Sequence, residues 1–232
     1  NLIKEKLKSL SINVQTGVGK TGVVGNIISN DGPCIALRAD MDALPIQETG
    51  NINYKSINDG IMHACGHDGH IAMLLGAAEV LSKMKNKING SVRFIFQPAE
   101  EQAPGGAIAM IEGGAIDKID HIIGGHVLPK MSPGKIGLKN GFMAAIVELV
   151  EISISGPGGH TSRPAETVDL IWAMSQLILS LEQSIKRSTD QQDPVVLAFG
   201  KVNGGNTFNV LPETIELKGT LRYLDANLKK KF

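Results

Sequence analysis

The chain has 232 residues, enough for one large domain or two modest ones with a sizeable core. Its composition, 42% hydrophobic and 20% charged, is that of an ordinary globular protein. Lys plus Arg equals Asp plus Glu at 23 each, which excludes a basic footprint for nucleic acid or an anionic membrane, and no apolar run reaches the roughly 18 residues of a membrane span.

In chain order, residues 23–28 and 34–38 are short apolar runs and are expected to be strands. Ile71, Leu74, Leu75, Ala78 and Leu81 recur at helical spacing and predict a helix over 69–84 with one buried face. Residues 91–97 form a further strand, stopped by Pro98, which has no N–H for a ladder. A short helix is expected around 105–112, and His121-Ile122-Ile123 begins another strand. This alternation predicts an α/β fold with a mostly parallel sheet flanked by helices.

The pattern changes near Ile146. A long strand is expected over 147–155 and is broken by Gly156-Pro157-Gly158-Gly159. An amphipathic helix follows over 165–186, with Val168, Ile171, Met174, Leu177, Ile178 and Leu181 inward. Strands at 195–202 and 214–222 flank a Gly-Gly-Asn turn. The order β-α-β-β is most of a ferredoxin-like split unit. A boundary at Asn140-Gly141 therefore divides residues 1–141 from 142–232.

Three apolar strands run into metal-binding residue types: Asp40 and Asp42 after the strand at 34–38, Glu100 and Glu101 after 91–97, and His126 after the strand at 121. In open parallel sheets the carboxyl ends of the strands line the ligand crevice, so these groups are expected to converge. Cys65 and His67 add a thiolate and an imidazole on one tight turn, a donor pair that suits Zn²⁺ and its neighbours. Two-metal hydrolysis needs one carboxylate on metal and another free to take a proton, and the neighbours Glu100 and Glu101 can divide those roles. Cys34 lies inside an apolar strand and is expected to be a core residue. Two cysteines make no disulfide framework and point to a reducing compartment such as the cytoplasm.

The runs Met62-His-Ala-Cys-Gly-His-Asp-Gly-His70, Arg38-Ala-Asp-Met-Asp-Ala-Leu-Pro45 and Gln97-Pro-Ala-Glu-Glu101 resemble the aminoacylase/carboxypeptidase-type metallopeptidases, in the amidohydrolase branch that holds hippurate and auxin-conjugate hydrolases. The resemblance covers essentially the whole chain. It implies a zinc-peptidase-like domain with an inserted ferredoxin-like lid that forms a homodimer. It also implies two divalent ions per subunit, Zn²⁺ or Mn²⁺ with Ni²⁺ or Co²⁺ as alternatives, and a small N-acyl amino acid or peptide as substrate. Cys65, His67, Glu101 and His126 then correspond to metal ligands, and Glu100 to the general base and acid.

In the lid, the resemblance makes His160 an oxyanion-stabilising residue that commonly serves the partner subunit's site, and makes Asn209 and Arg222 contacts for the substrate carboxylate. Arg holds carboxylates with two parallel bonds, which agrees with that role. Asp42 either orients a ligand from behind or caps its turn. His63 and His70 receive no role, and His121 is expected to be structural. The chain opens on Asn1-Leu2-Ile3-Lys4 and stops before the family's downstream His ligand. It is therefore expected to be a fragment that binds at most one metal by itself.

Overall fold

The computed structural model describes residues 1–189 and 195–231. The chain divides into two compact units, 1–134 and 135–232.

In the first unit, helix α1 (Leu2–Ser9) leads into strands β1 (Asn13–Val18), β2 (Gly22–Ile28) and β3 (Cys34–Asp40). Helix α2 (His67–Lys83), strand β4 (Ser91–Gln97), helix α3 (Gly106–Glu112) and strand β5 (His121–Gly124) follow. The strands form one mixed sheet in the order β1-β2-β4-β3-β5. β1 and β2 pair antiparallel, as do β2 and β4, whereas β3 lies parallel to both β4 and β5. Parallel pairing aligns the three carboxyl ends on one edge. Asp40 stands opposite Gln97, and Arg38 opposite Gly124.

β4 reads as a near-continuous apolar run because it is central, and Phe94 and Phe96 are wholly buried. One core packs these rings against Leu7, Ile12, Leu74 and Ala78, with Ile71, Leu75 and Leu81 at its margin. The opposite face of the sheet packs Val24, Ala36 and Ile95 on Met110 of α3. Burying each Phe side chain contributes on the order of 1.5–3 kcal/mol. Cys34 is buried within β3, as its apolar neighbours predict.

α2 begins two residues earlier than the apolar spacing predicts. Gly66 supplies the entry with φ +80°, a conformation that L side chains rarely adopt. His67 and His70 therefore both lie in the first helical turn, three residues apart on one buried face. Two elements carry no strong sequence pattern and were not expected. α1 is only eight residues long, and β1 is mostly polar with Val18 its one buried residue.

In the second unit, β6 (Ile146–Ser155), the two-residue strand β7 (Gly159–His160), helix α4 (Leu170–Ser188), β8 (Val196–Asn203), the two-residue strand β9 (Val210–Leu211) and β10 (Thr214–Tyr223) follow in order. β6, β10 and β8 form an antiparallel sheet with β10 in the middle. α4 covers one face through Leu170, Met174 and Ile178 on Ile152, Ile154, Ile215, Leu217 and Phe199. The helix starts at Leu170 and not at 165, because the Asp169 carboxylate caps it by accepting from Trp172 N–H at 2.9 Å. Val168, expected on the inner face of that helix, thus precedes it. β7 and β9 pair as a separate antiparallel ribbon.

Among the described residues no helix is long and apolar enough to cross a membrane.

Candidate metal centre

The aligned ends of β3, β4 and β5 place three loops side by side. Beyond β3, the backbone N–H of Met41 still donates to Gln97 O at 2.9 Å, which extends the pairing toward Asp42. Beyond β4, Ala99 takes φ 51°, a left-handed conformation costing roughly 1–2 kcal/mol for an L residue. That turn redirects the chain so that Glu100 and Glu101 face back toward α2. Strain of this kind concentrates at functional sites.

The Cys65–His67 turn reaches the same edge through a contact that no motif announces. Leu44 and Met62 form an isolated antiparallel bridge, with reciprocal N–H to O bonds of 2.9 and 3.0 Å. It closes the loop over residues 45–61 and lays Met62–His67 beside Asp42.

His67 is the centre of the assembly and is 1% exposed. Its Nδ1 lies 3.0 Å from the Asp42 carbonyl oxygen, so the ring proton sits there and donates to that oxygen. Nε2 is then an open lone pair. Among the described residues it is one of three buried side-chain atoms with no hydrogen-bond partner, beside Asp42 Oδ1 and His63 Nδ1. It lies 3.9 Å from a Glu100 oxygen and 3.8 Å from a Glu101 oxygen. These separations are too long for hydrogen bonds and suit donors that share an ion.

His126 has the same polarity. Its Nδ1 donates to the Val127 carbonyl at 2.7 Å, and its Nε2 stands 3.4 Å from Cys65 Sγ. Cys65, His67 and His126 thus form one group able to hold a metal ion, and His67, Glu100 and Glu101 form another. The four residues expected as ligands and the expected base are brought together around His67.

The electrostatics point the same way. Burial, a hydrogen bond with Glu101 and the charges of Glu101, Glu100 and Asp40 push the Cys65 thiol up to about 11. Such crowding of a thiol beside two carboxylates fits a divalent cation, which stabilises thiolate and carboxylate together.

Asp42 supports two members of the cluster at once. Its carbonyl accepts from His67, and its Oδ2 accepts from the Glu101 backbone N–H at 2.9 Å. Burial raises the Asp42 carboxyl, but backbone hydrogen bonds and the adjacent His67 imidazole outweigh this and hold it below the ordinary range.

Asp40 is 1% exposed and takes Arg38 Nη1 on Oδ2 at 2.7 Å and His70 Nδ1 on Oδ1 at 2.5 Å. Burial pushes its carboxyl up, and the His70 bond, the Arg38 charge and the nearby His67 imidazole bring it below the usual value. Sequence spacing places Asp40 among the converging strand ends without naming its partner, and leaves His70 without a role. The clue was their burial, which is a property of the assembled fold.

The other candidates lie in the second unit. His160, in the β7–β9 ribbon, pairs with Val210, and Thr161 N–H donates to Asn209 O at 3.1 Å, so His160 and Asn209 are neighbours. Both the backbone N–H and the hydroxyl of Ser162 reach His160 Nδ1, at 3.2 and 2.8 Å. Arg222 is not part of this group. It pairs with Val147 and Val196 near the far end of β10, eight residues beyond Thr214, or about 27 Å of strand. His121 lies exposed at the start of β5.

The sequence profile of peptidase family M20/M25/M40 matches residues 36–221. An N-acetyl-L-cysteine deacetylase of Bacillus subtilis is 43% identical over 98% of this chain and 55% of its own length. A hippurate hydrolase of Campylobacter jejuni is 43% identical over 99% of this chain and 60% of its own length. A solved dinuclear metal-binding M20 peptidase of Bacillus subtilis superposes with a TM-score of 0.79 at 36% identity, over 99% of this chain and 59% of that one. The chain spans little more than half the length of the curated relatives it matches.

The lowered Asp40 carboxyl has a consequence for acid stability. A depressed carboxyl contributes stability that is fully present above its unfolded value of about 3.9 and is lost as pH falls through the folded value. In metal-free protein the Asp40 contribution to the denaturant midpoint, read as the difference from Asp40→Asn, should hold steady from roughly pH 7 to 5 and fall below about pH 4. Asp40→Asn should start from a lower midpoint and lose part of this acid dependence. An acid profile identical to that of the unsubstituted protein would contradict the assignment.

Proposed function

The chain belongs to peptidase family M20/M25/M40, and from that premise we propose that the whole protein is a metal-dependent amidohydrolase acting on small N-acyl amino acids or peptides. The observation that carries the reading is the open, buried Nε2 of His67 facing Glu100 and Glu101, beside the Cys65–His126 pair.

Cys65, His67, Glu101 and His126 are the proposed ligands, for two divalent ions per subunit, Zn²⁺ or Mn²⁺ with Ni²⁺ or Co²⁺ as alternatives. The thiolate and imidazole donors favour these borderline ions over Mg²⁺ or Ca²⁺. Bound there, the ions would polarise the scissile carbonyl and lower the pKa of water.

Glu100 is the proposed general base and acid. Its side chain is 43% exposed against 25% for Glu101, which leaves it the freer carboxylate. It takes a proton from the attacking water and returns it to the departing amide nitrogen. Asp42 holds His67 and the Glu101 backbone in place, through its carbonyl and its carboxylate respectively.

Residues 1–141 are the proposed catalytic domain, and 142–232 the lid and dimerisation domain. His160 is the proposed oxyanion donor. Ser162 N–H occupies Nδ1, so the ring proton sits on Nε2 and is free to donate. Asn209 and Arg222 are proposed substrate contacts, Arg222 through its match to the substrate carboxylate. The strand's length between Arg222 and the His160–Asn209 pair exceeds the reach of one small substrate. It supports a homodimer in which His160 and Asn209 serve the site of the partner copy. A reducing compartment such as the cytoplasm suits the two free thiols.

Glu100→Gln should lower kcat by about 10²–10⁴-fold with metal content unchanged, measured by initial rates on N-acyl amino acids and elemental analysis. Turnover close to that of the unsubstituted enzyme would remove Glu100 from the chemistry. Mixing Glu100→Gln protein with His160→Ala protein should restore activity through mixed dimers. No recovery after verified subunit exchange would mean that each subunit supplies its own His160.

A further inference from the structure

Three imidazoles crowd the edge of the first unit. The ring centres of His67 and His70 are 5.4 Å apart, those of His70 and His126 4.6 Å, and those of His67 and His126 6.2 Å. Two of them turn Nδ1 to a backbone carbonyl and leave Nε2 open, but His70 does not. Val127 N–H donates to His70 Nε2 at 2.9 Å, and an N–H can only donate, so Nε2 must be the bare nitrogen. The proton is therefore on Nδ1, which donates to Asp40. The ring is 3% exposed and committed on both sides. Asp40, His67 and His70 lie close enough to form a further donor group, yet His70 has no lone pair to spare for an ion.

We propose that His70 is a positioning residue that fixes His126 in the metal centre, by tying the loop after β5 to the first turn of α2. The proposal rests on the reading of Cys65 and His126 as metal ligands.

The path is continuous. Arg38 bonds to Asp40, Asp40 accepts from His70, and His70 accepts from the Val127 N–H. The Val127 carbonyl accepts in turn from His126 Nδ1, which leaves His126 Nε2 toward Cys65. The two halves of the donor group come from segments 61 residues apart, and β5 has already ended at Gly124. His70 is the side chain that joins them.

Packing supports the same junction. The Val127 side chain rests over Gly66 and Gly69 of the α2 entry, and a Cβ on Gly66 would come within 2.5 Å of Val127 Cγ2. The glycines admit the loop, while the hydrogen bond to His70 selects its register. A His bonded on both sides is also rigid, as an element that orients ligands must be.

The test uses the full-length protein and Co²⁺ as probe, with thiolate-to-Co²⁺ charge transfer reporting the ion beside Cys65. His70→Phe keeps the ring volume and removes both bonds, and should weaken Co²⁺ binding at that position by about 10–100-fold. His70→Gln, whose amide can donate to Asp40 and accept from Val127, should recover most of the affinity. Should the Phe variant fail to fold, His70→Asn, too short to span both partners, takes its place.

A merely structural role would lower the unfolding temperature of the chelated protein and leave Co²⁺ affinity unchanged, which would overturn the proposal. Gln binding no better than Phe would also overturn it, by making His70 itself a ligand. No charge-transfer band in the unsubstituted protein would instead overturn the underlying metal reading.

Discussion

A buried imidazole nitrogen with nothing to bond, facing two carboxylates and flanked by a thiol, is the constraint around which the first unit is organised. Leaving such an atom unsatisfied costs on the order of 1–3 kcal/mol, and gathering carboxylates beside a thiol adds repulsion. A cation that joins the donors would relieve both costs. Much of the surrounding structure serves to hold it in place. Parallel pairing of β3, β4 and β5 delivers three loops to one edge, the Leu44–Met62 bridge delivers the fourth, and Asp42 and Asp40 each tie two of these segments together. The entry to α2 is correspondingly a glycine, Gly66, since a Cβ there would come within 2.5 Å of Val127 on the loop that brings His126.

The second unit follows a different rule. Its antiparallel sheet has one face covered by α4, which is why its strands alternate and those of the first unit do not. The β7–β9 ribbon is too short to be stable alone and is held by backbone bonds from Gly156 to Glu213 and from Thr161 to Asn209. It sets the His160 tautomer through Ser162, at the opposite end of β10 from Arg222.

The elements most legible in the sequence were those whose pattern is dictated by burial on two sides. β4 was readable to the residue, because Phe94, Ile95 and Phe96 are all buried and Pro98 ends the ladder. The convergence of Asp42, Glu101 and His126 was readable because parallel strands have a common carboxyl edge. What escaped was decided by single contacts. The start of α4 depends on one cap at Asp169, and the placement of the Cys65 turn depends on the Leu44–Met62 bridge, which has no motif. His70, like His63, has no role legible in the histidine-rich run itself. Only the Val127 amide, 57 residues away, distinguishes a committed imidazole from an open one.

The central claim is that Cys65, His67 and His126 hold a metal ion directly. X-ray absorption at the zinc edge of the full-length, zinc-loaded protein tests it most directly. The account predicts a sulfur scatterer at about 2.3 Å together with nitrogen and oxygen scatterers near 2.0–2.2 Å, with the sulfur component absent after Cys65→Ala. A nitrogen and oxygen shell alone in the unsubstituted protein would contradict it.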